Sequence, residues 1–277
     1  MSKDSYPITD WDDAYANASN IPEGDQWPAR WVEPAANFRA ALTEAGRAQL
    51  DIRYGEAERN LLDLFLPEAE PKGLMVFVHG GFWLMLDKSY WSHLAQGCID
   101  AGYAVAMPSY TLCPEASIAQ ITAEVALAIE CAAAQVAGPI RLSGHSAGGH
   151  LVTQMLCQDS PLDGEVQARI AKTVSISGVH DLRPLLNTQM ATKLQLDWVQ
   201  ACAQSPVLKA PKHLAPLTCW VGSDERPEFV RLNRVQADIW KGFALATEAI
   251  EEPDRHHFNI IDGLCEQQHP LTQSLLA

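Results

Sequence analysis

From residue 50 onward, short apolar runs alternate with longer segments of helical periodicity. Residues 51–54 and 60–66 read as short strands separated by the turn-like Gly55-Glu56. Leu74–Val78 is continuously apolar, as expected of a strand covered on both faces of a parallel sheet. Further strands are predicted at 103–107, 140–143, 173–177, 217–221 and 246–250. Helices are predicted at 89–101, at 117–136, from the residues after Ser146 through Cys157, and at Pro227–Lys241. Strands alternating with helices imply right-handed crossovers, hence an α/β fold with a doubly wound, mostly parallel sheet and helices on both faces. The chain reads as one domain, 1–277. Residues 1–50 are irregular but carry Trp11, Trp27 and Trp31, too many large aromatics for a free tail. They are expected to pack on the body as an extension, helical over 31–48. Residues 181–216 mix loop and helix and suit a cap or insertion.

Composition narrows the function classes. Twenty Lys+Arg against 34 Asp+Glu leave a net charge of −14, which disfavours nucleic acid and anionic membrane as partners. No stretch approaches the roughly 20 apolar residues that span a bilayer, and the polar start of the chain lacks a signal-peptide core. The seven cysteines are widely spread with no Cys-x-x-Cys pair, so neither a zinc site nor a disulfide framework is expected. A cytoplasmic protein acting on a small-molecule substrate, with no membrane or nucleic-acid partner, fits these features, and a homodimer is left open. No phosphate loop or Gly-x-Gly-x-x-Gly is present, and His256-His257 lacks a carboxylate or cysteine at ligand spacing. The expectation is therefore no cofactor and no metal.

The candidate chemistry centres on Gly144-His145-Ser146-Ala147-Gly148, which joins a predicted strand to a predicted helix. In that setting a serine sits on a sharp turn with its hydroxyl pushed out above the sheet. Ser146 is accordingly the candidate nucleophile. An acyl transfer also needs N–H donors for the oxyanion. Val78-His79-Gly80-Gly81-Phe82-Trp83 follows a buried strand, as such a donor loop should. The Gly81, Phe82 and Ala147 amides are assigned to the hole, with Gly80 letting the backbone turn and His79 orienting the loop.

In this chain order the acid and the histidine follow the serine. The base belongs after the last strand, at His256 or His257, and His257 is favoured because the apolar run after it could hold it at the head of a helix. His150, His180, His213 and His269 lie elsewhere in the pattern. The acid belongs after strand 217–221, where Asp224 and Glu225 are adjacent. Spacing alone does not choose between them.

Together these residues resemble the kynurenine formamidase (arylformamidase) branch of the α/β-hydrolases, related to small carboxylesterases. The carriers are His79-Gly80-Gly81-Phe82-Trp83, Lys88-Ser89, residues 108–114, residues 144–151, residues 177–184, Pro227-Glu228-Phe229 and His257-Phe258. The resemblance implies Ser146 as nucleophile, His257 as base and an oxyanion hole from residues 80–82 with Ala147. It places the acid at Glu225, where such proteins usually carry aspartate, so the reading leans to Glu225 over Asp224. Trp83 and Tyr110 are candidate pocket residues, as are Phe82 and Trp91. His145 is a pocket candidate too, although packing explains it equally well, and Asp181 with Arg183 reads as a structural pair. The implied activity is hydrolysis of a small acyl or formyl group from an aromatic amide or ester, with N-formylkynurenine as the suggested substrate. A general carboxylesterase on short-chain esters is the alternative, and a non-catalytic scaffold of the same fold is the remote one.

Overall fold

The structure is a computed structural model that describes residues 7–212 and 215–277. Residues 1–6, on which the leader reading partly rests, and His213 lie outside the described residues. One eight-stranded sheet runs through the molecule: β1 (Ala48–Arg53), β2 (Leu61–Phe65), β3 (Leu74–Val78), β4 (Ala104–Pro108), β5 (Ile140–His145), β6 (Ile170–Ile176), β7 (Leu217–Gly222) and β8 (Thr247–Glu252). Their spatial order is β1-β2-β4-β3-β5-β6-β7-β8. β2 is antiparallel to both β1 and β4, and every pairing from β4 to β8 is parallel. This is the expected mostly parallel α/β sheet.

The alternation of side chains along each strand divides the interior into two cores. Leu74, Val76 and Val78 of β3 enter one cluster with Ile121, Val125 and Leu151, while Met75 and Phe77 enter the other with Trp31, Leu94 and Leu271. A period of two sends neighbours to opposite faces, so an all-apolar strand needs a helical layer on each side. Each fully buried Leu, Val or Phe contributes about 1.5–3 kcal/mol.

The Ile118–Ala133 helix starts at the Ser117 cap, where Ser117 and Gln120 form a reciprocal capping box. The Pro227–Lys241 helix has the predicted bounds. Two helix expectations change. In the extension the helix is Trp27–Glu44 rather than 31–48, because Pro28 fits a first turn whose N–H groups lack partners anyway. It ends before Gly46, and residue 48 already belongs to β1. The predicted helix 89–101 is α-helical only over Gln96–Asp100. Two short 3₁₀ turns, Lys88–Tyr90 and Ser92–Ala95, precede it and meet at Trp91, whose φ of −127° is not helical. Between β6 and β7, short helices at Arg183–Asn187, Met190–Leu194, Trp198–Ala203 and Pro206–Leu208 occupy most of 181–216.

The register explains the site's location. Val78 at the end of β3 pairs with Gly144, two residues before Ser146, and Gly222 at the end of β7 pairs with Glu252 at the end of β8. The loops after β3, β5, β7 and β8 therefore emerge side by side at the carboxyl edge, where ligands of open α/β sheets bind.

Candidate active site

Ser146 sits between β5 and the Ala147–Gln154 helix with φ 56° and ψ −114°. Such a left-handed φ is costly for a residue with a Cβ and persists only where its surroundings hold it. Here Ser146 N–H donates to the Ile176 carbonyl (2.8 Å), and its own carbonyl accepts from His150 N–H (3.1 Å). A Cβ at position 148 would collide with the Val78 carbonyl, so the last residue of the pentapeptide must be glycine. The Ser146 hydroxyl is buried and has no hydrogen-bond partner among the described residues. Catalytic hydrogen bonds often tighten only when substrate is bound.

After β8, the chain turns at residues 253–254 and brings His257 to the same edge. His257 Nδ1 lies 2.5 Å from Glu225 Oε2. A carboxylate can only accept, so Nδ1 is the donor in this contact. The Glu225 side chain is itself fixed, since Oε1 accepts from Ser177 Oγ and from Gly222 N–H (2.9 Å). Asp224 is exposed, and among the described residues its carboxylate accepts a hydrogen bond from the neighbouring Ser223 hydroxyl alone, at 3.3 Å. Of the two adjacent carboxylates, Glu225 is the one brought to the histidine. His256 points away: its ring packs edge-on against Trp27 (5.0 Å), and its Nδ1 accepts from the Phe258 and Asn259 amides. His257 precedes a run of turns instead of a helix, and the next helical residues are the 3₁₀ turn Asp262–Cys265. Its imidazole is held by ring contacts with Phe229 (4.5 Å) and His145 (4.6 Å).

His145 supports His257 from below. Its Nε2 donates to the His257 carbonyl at 2.8 Å, and burial holds its pKa well below the usual value, so the ring is neutral. His79 is likewise buried and neutral, pushed down to about 4, and its Nδ1 donates to the Gly80 carbonyl at 2.7 Å.

The loop after β3 turns at Gly81, Phe82 and Trp83, with φ of 111°, 52° and 59°. The expected turn at Gly80 is thus shifted by one residue. At Gly81 a side chain would also strike the Met85 carbonyl. Among the described residues, the Gly81, Phe82 and Ala147 N–H groups make no backbone hydrogen bond that would occupy them. Three donors are therefore available where the loop passes Ser146.

Those consecutive left-handed residues separate Phe82, which meets the cavity, from Trp83, which does not. Phe82 and Trp91 line it with Gly81, His145, Ser146 and His257, but Trp83 and Tyr110 do not. Trp83 is wholly buried, edge-on against His150 at 5.1 Å. Tyr110 is wholly buried, stacked on His79 at 4.2 Å, with its hydroxyl donating to the His79 carbonyl. Both hold the loop from behind, which corrects the expectation that they line the pocket. Arg59 adds a clamp from its guanidinium to the Tyr110 and Leu86 carbonyls (2.8 and 2.6 Å). Asp181 and Arg183 form the expected bidentate pair, at 2.9 and 2.8 Å.

The cavity over Ser146 has a volume of about 600 Å³ and walls that are mostly apolar. Half of its lining comes from residues 12–31 of the N-terminal extension, including Tyr15, Asn17 and Trp31. These residues and Ser177 escaped the sequence reading. Only the resemblance of the 177–184 run pointed near Ser177. Among the described residues, no group of histidines, cysteines and carboxylates could hold a metal ion, and no helix is long and apolar enough to cross a membrane.

A parallel sheet whose strand-to-helix turn presents a serine at the carboxyl edge defines the class: this chain is an α/β-hydrolase. The BD-FAE family matches residues 62–230, more than half of the chain, and the chain belongs to that family. It is 29% identical to the kynurenine formamidase of Danio rerio over 82% of this chain and 80% of that protein. A crystal structure from Silicibacter sp. TM1040, provisionally described as a thioesterase, is 45% identical, with a TM-score of 0.92 over 97% of this chain and 99% of that one. Thermogutta terrifontis esterase 2 shares the fold at 19% identity, with a TM-score of 0.65 over 83% of this chain and 90% of that one.

Proposed function

We propose that the chain is a serine hydrolase that removes a small acyl or formyl group from an aromatic amide or ester, with N-formylkynurenine as the reference substrate. The observation that carries this reading is the Glu225–His257 contact beside Ser146 at the base of a largely apolar cavity. Its similarity to the kynurenine formamidase of Danio rerio supports the formamide arm.

In this mechanism the Ser146 hydroxyl attacks the substrate carbonyl carbon as His257 Nε2 takes its proton. Glu225 holds the imidazole tautomer and stabilises the imidazolium, as in other serine–histidine–acid triads. The carbonyl oxygen becomes an oxyanion held by the Gly81, Phe82 and Ala147 N–H groups. Collapse breaks the bond to the leaving amine or alcohol, which receives the proton from His257. Water then attacks the acyl-serine, with His257 again accepting and returning a proton, and formate or a short carboxylate departs. The apolar walls formed by Phe82, Trp91 and Phe258 favour a flat aromatic leaving group.

A cavity of about 600 Å³ also has room for an acyl chain, which favours short-chain ester hydrolysis as the second reading. Comparing kcat/KM for N-formylkynurenine with that for p-nitrophenyl acetate and butyrate decides between them. Formamide turnover well above that of the esters is expected. Ester turnover with background formamidase activity would overturn the formamide assignment.

A further inference from the structure

Asn17 stands just before the 3₁₀ turn Ala18–Asn20 in the extension, and only 6% of its surface is exposed. Its backbone carbonyl serves that turn by accepting from Asn20 N–H at 3.0 Å. Its side chain caps nothing: among the described residues neither Nδ2 nor Oδ1 has a hydrogen-bond partner. Buried amides are almost always paired, so an amide left open at both ends in a cavity wall calls for a reason. Asn17 lines the cavity that reaches Ser146 and His257.

Two carboxylates and several aromatic rings line the same cavity. Asp12 and Asp25 line it and are both exposed. Asp12 Oδ1 accepts from Gln189 N–H at 2.8 Å, while its charge remains. Tyr15, Trp31 and Phe258 supply aromatic surface, which attracts cations through the ring quadrupole. An ammonium group suits the oxygen end of this amide and its charged and aromatic surroundings, since it donates to Asn17 Oδ1, is drawn in by the two carboxylates and rests against aromatic rings. A carboxylate meets the field of Asp12 and Asp25 with the wrong sign.

We propose that this N-terminal wall selects leaving groups that carry a protonated amine, with Asn17 as the specificity-determining residue. The proposal rests on the hydrolase reading and deepens it by naming the leaving group's chemistry. The aliphatic ammonium on the side chain of an aryl formamide would be the recognised group, and a carboxylate on the same side chain would be tolerated rather than bound.

Three probes on one skeleton test it: N-formylkynurenine, its analogue lacking the carboxylate, and its analogue lacking the amine. The decarboxylated amine is expected to show the highest kcat/KM and the deaminated acid the lowest, with at least about tenfold between them. Asn17→Leu should reduce that ratio about tenfold, whereas the near-isosteric Asn17→Asp should preserve or raise it. Asp25→Asn should lower it by a smaller factor that shrinks as salt is added. A ratio near one, a preference for the acid, or a ratio that Asn17→Leu leaves unchanged would overturn the proposal. Calorimetric binding of the three matching product amines to Ser146→Ala separates this from failure of the reaction itself. The same order in binding supports the wall even without turnover, and equal binding of all three defeats it.

Discussion

Both oxygens of the Glu225 carboxylate accept hydrogen bonds at the carboxyl edge of the sheet, from Ser177 and Gly222 on one side and His257 on the other. In the cavity wall built by residues 12–31, both ends of the Asn17 amide lack a partner among the described residues. The two regions answer different demands. A group that stabilises charge in a transition state must be oriented before the reaction, so the protein itself supplies its partners. A group that recognises a substrate must keep its bonding capacity for the ligand. The floor is also anchored by the ends of four strands, whereas the wall consists of short turns and one long helix docked through aromatic contacts such as Trp31 on Trp91 (5.3 Å) and on Phe258 (5.6 Å).

The largest expected effect separates the two carboxylates of the floor. Glu225→Ala should lower kcat by about 10³–10⁴-fold, because the imidazole loses its tautomer and its counter-charge. Asp224→Ala should change it by less than about threefold, as an exposed residue with one neighbour contact. Steady-state kinetics of both variants would contradict this if Asp224→Ala were the more damaged.

Next comes the docking of the wall. Trp31→Ala deletes a 5%-exposed indole from the aromatic cluster and should cost about 3 kcal/mol in urea unfolding. The rate at which Ser146 reacts with a small fluorophosphonate should stay within about twofold, since the floor does not depend on that side chain. A labelling rate that collapses along with stability would show that wall and floor are one unit.

The smallest effect per group is titration of the histidines packed around the floor. Burial keeps His79 neutral down to about 4 and His150 and His180 down to about 3, and it holds His145 well below its ordinary value. Unfolded, each takes up a proton near pH 6.5. Below that pH the unfolded chain binds protons that the folded chain refuses, so stability is lost as pH falls towards the folded values. The slope is up to about 1.4 kcal/mol per pH unit for each histidine. Asp262, pushed up to about 6 by burial, opposes this with a single group. Urea unfolding at pH 7, 6 and 5 should show a steep decline, and a flat profile would contradict it.

Much of the floor was legible in the chain because short-range patterns encode it. All eight strands lie where apolar runs predict them, with ends shifted by up to three residues. The Ser146 pentapeptide announces its own turn through the small residues that the turn requires. Spacing alone left Asp224 and Glu225 undecided, since adjacent residues on a turn point in different directions; the resemblance leaned to Glu225, and Glu225 is the one that meets His257. Trp83 and Tyr110 were misplaced for a related reason. Three consecutive residues of positive φ, Gly81 to Trp83, redirect the Trp83 side chain in a way no periodicity reveals, and Tyr110, on the loop after β4, turns inward to stack on His79. The wall was the least legible part: apart from the Trp27–Glu44 helix, it is built from the short helix Trp11–Tyr15 and short turns whose cavity-facing residues follow no regular spacing.

In the proposed mechanism the carboxyl edge of the sheet activates Ser146 through His257 and Glu225. Reaction of the purified protein with a fluorophosphonate, followed by peptide mapping, tests it most directly. A single adduct is expected on Ser146, absent in Ser146→Ala and formed far more slowly in His257→Ala and Glu225→Ala. No adduct at Ser146, or one formed at an undiminished rate without His257, would contradict it.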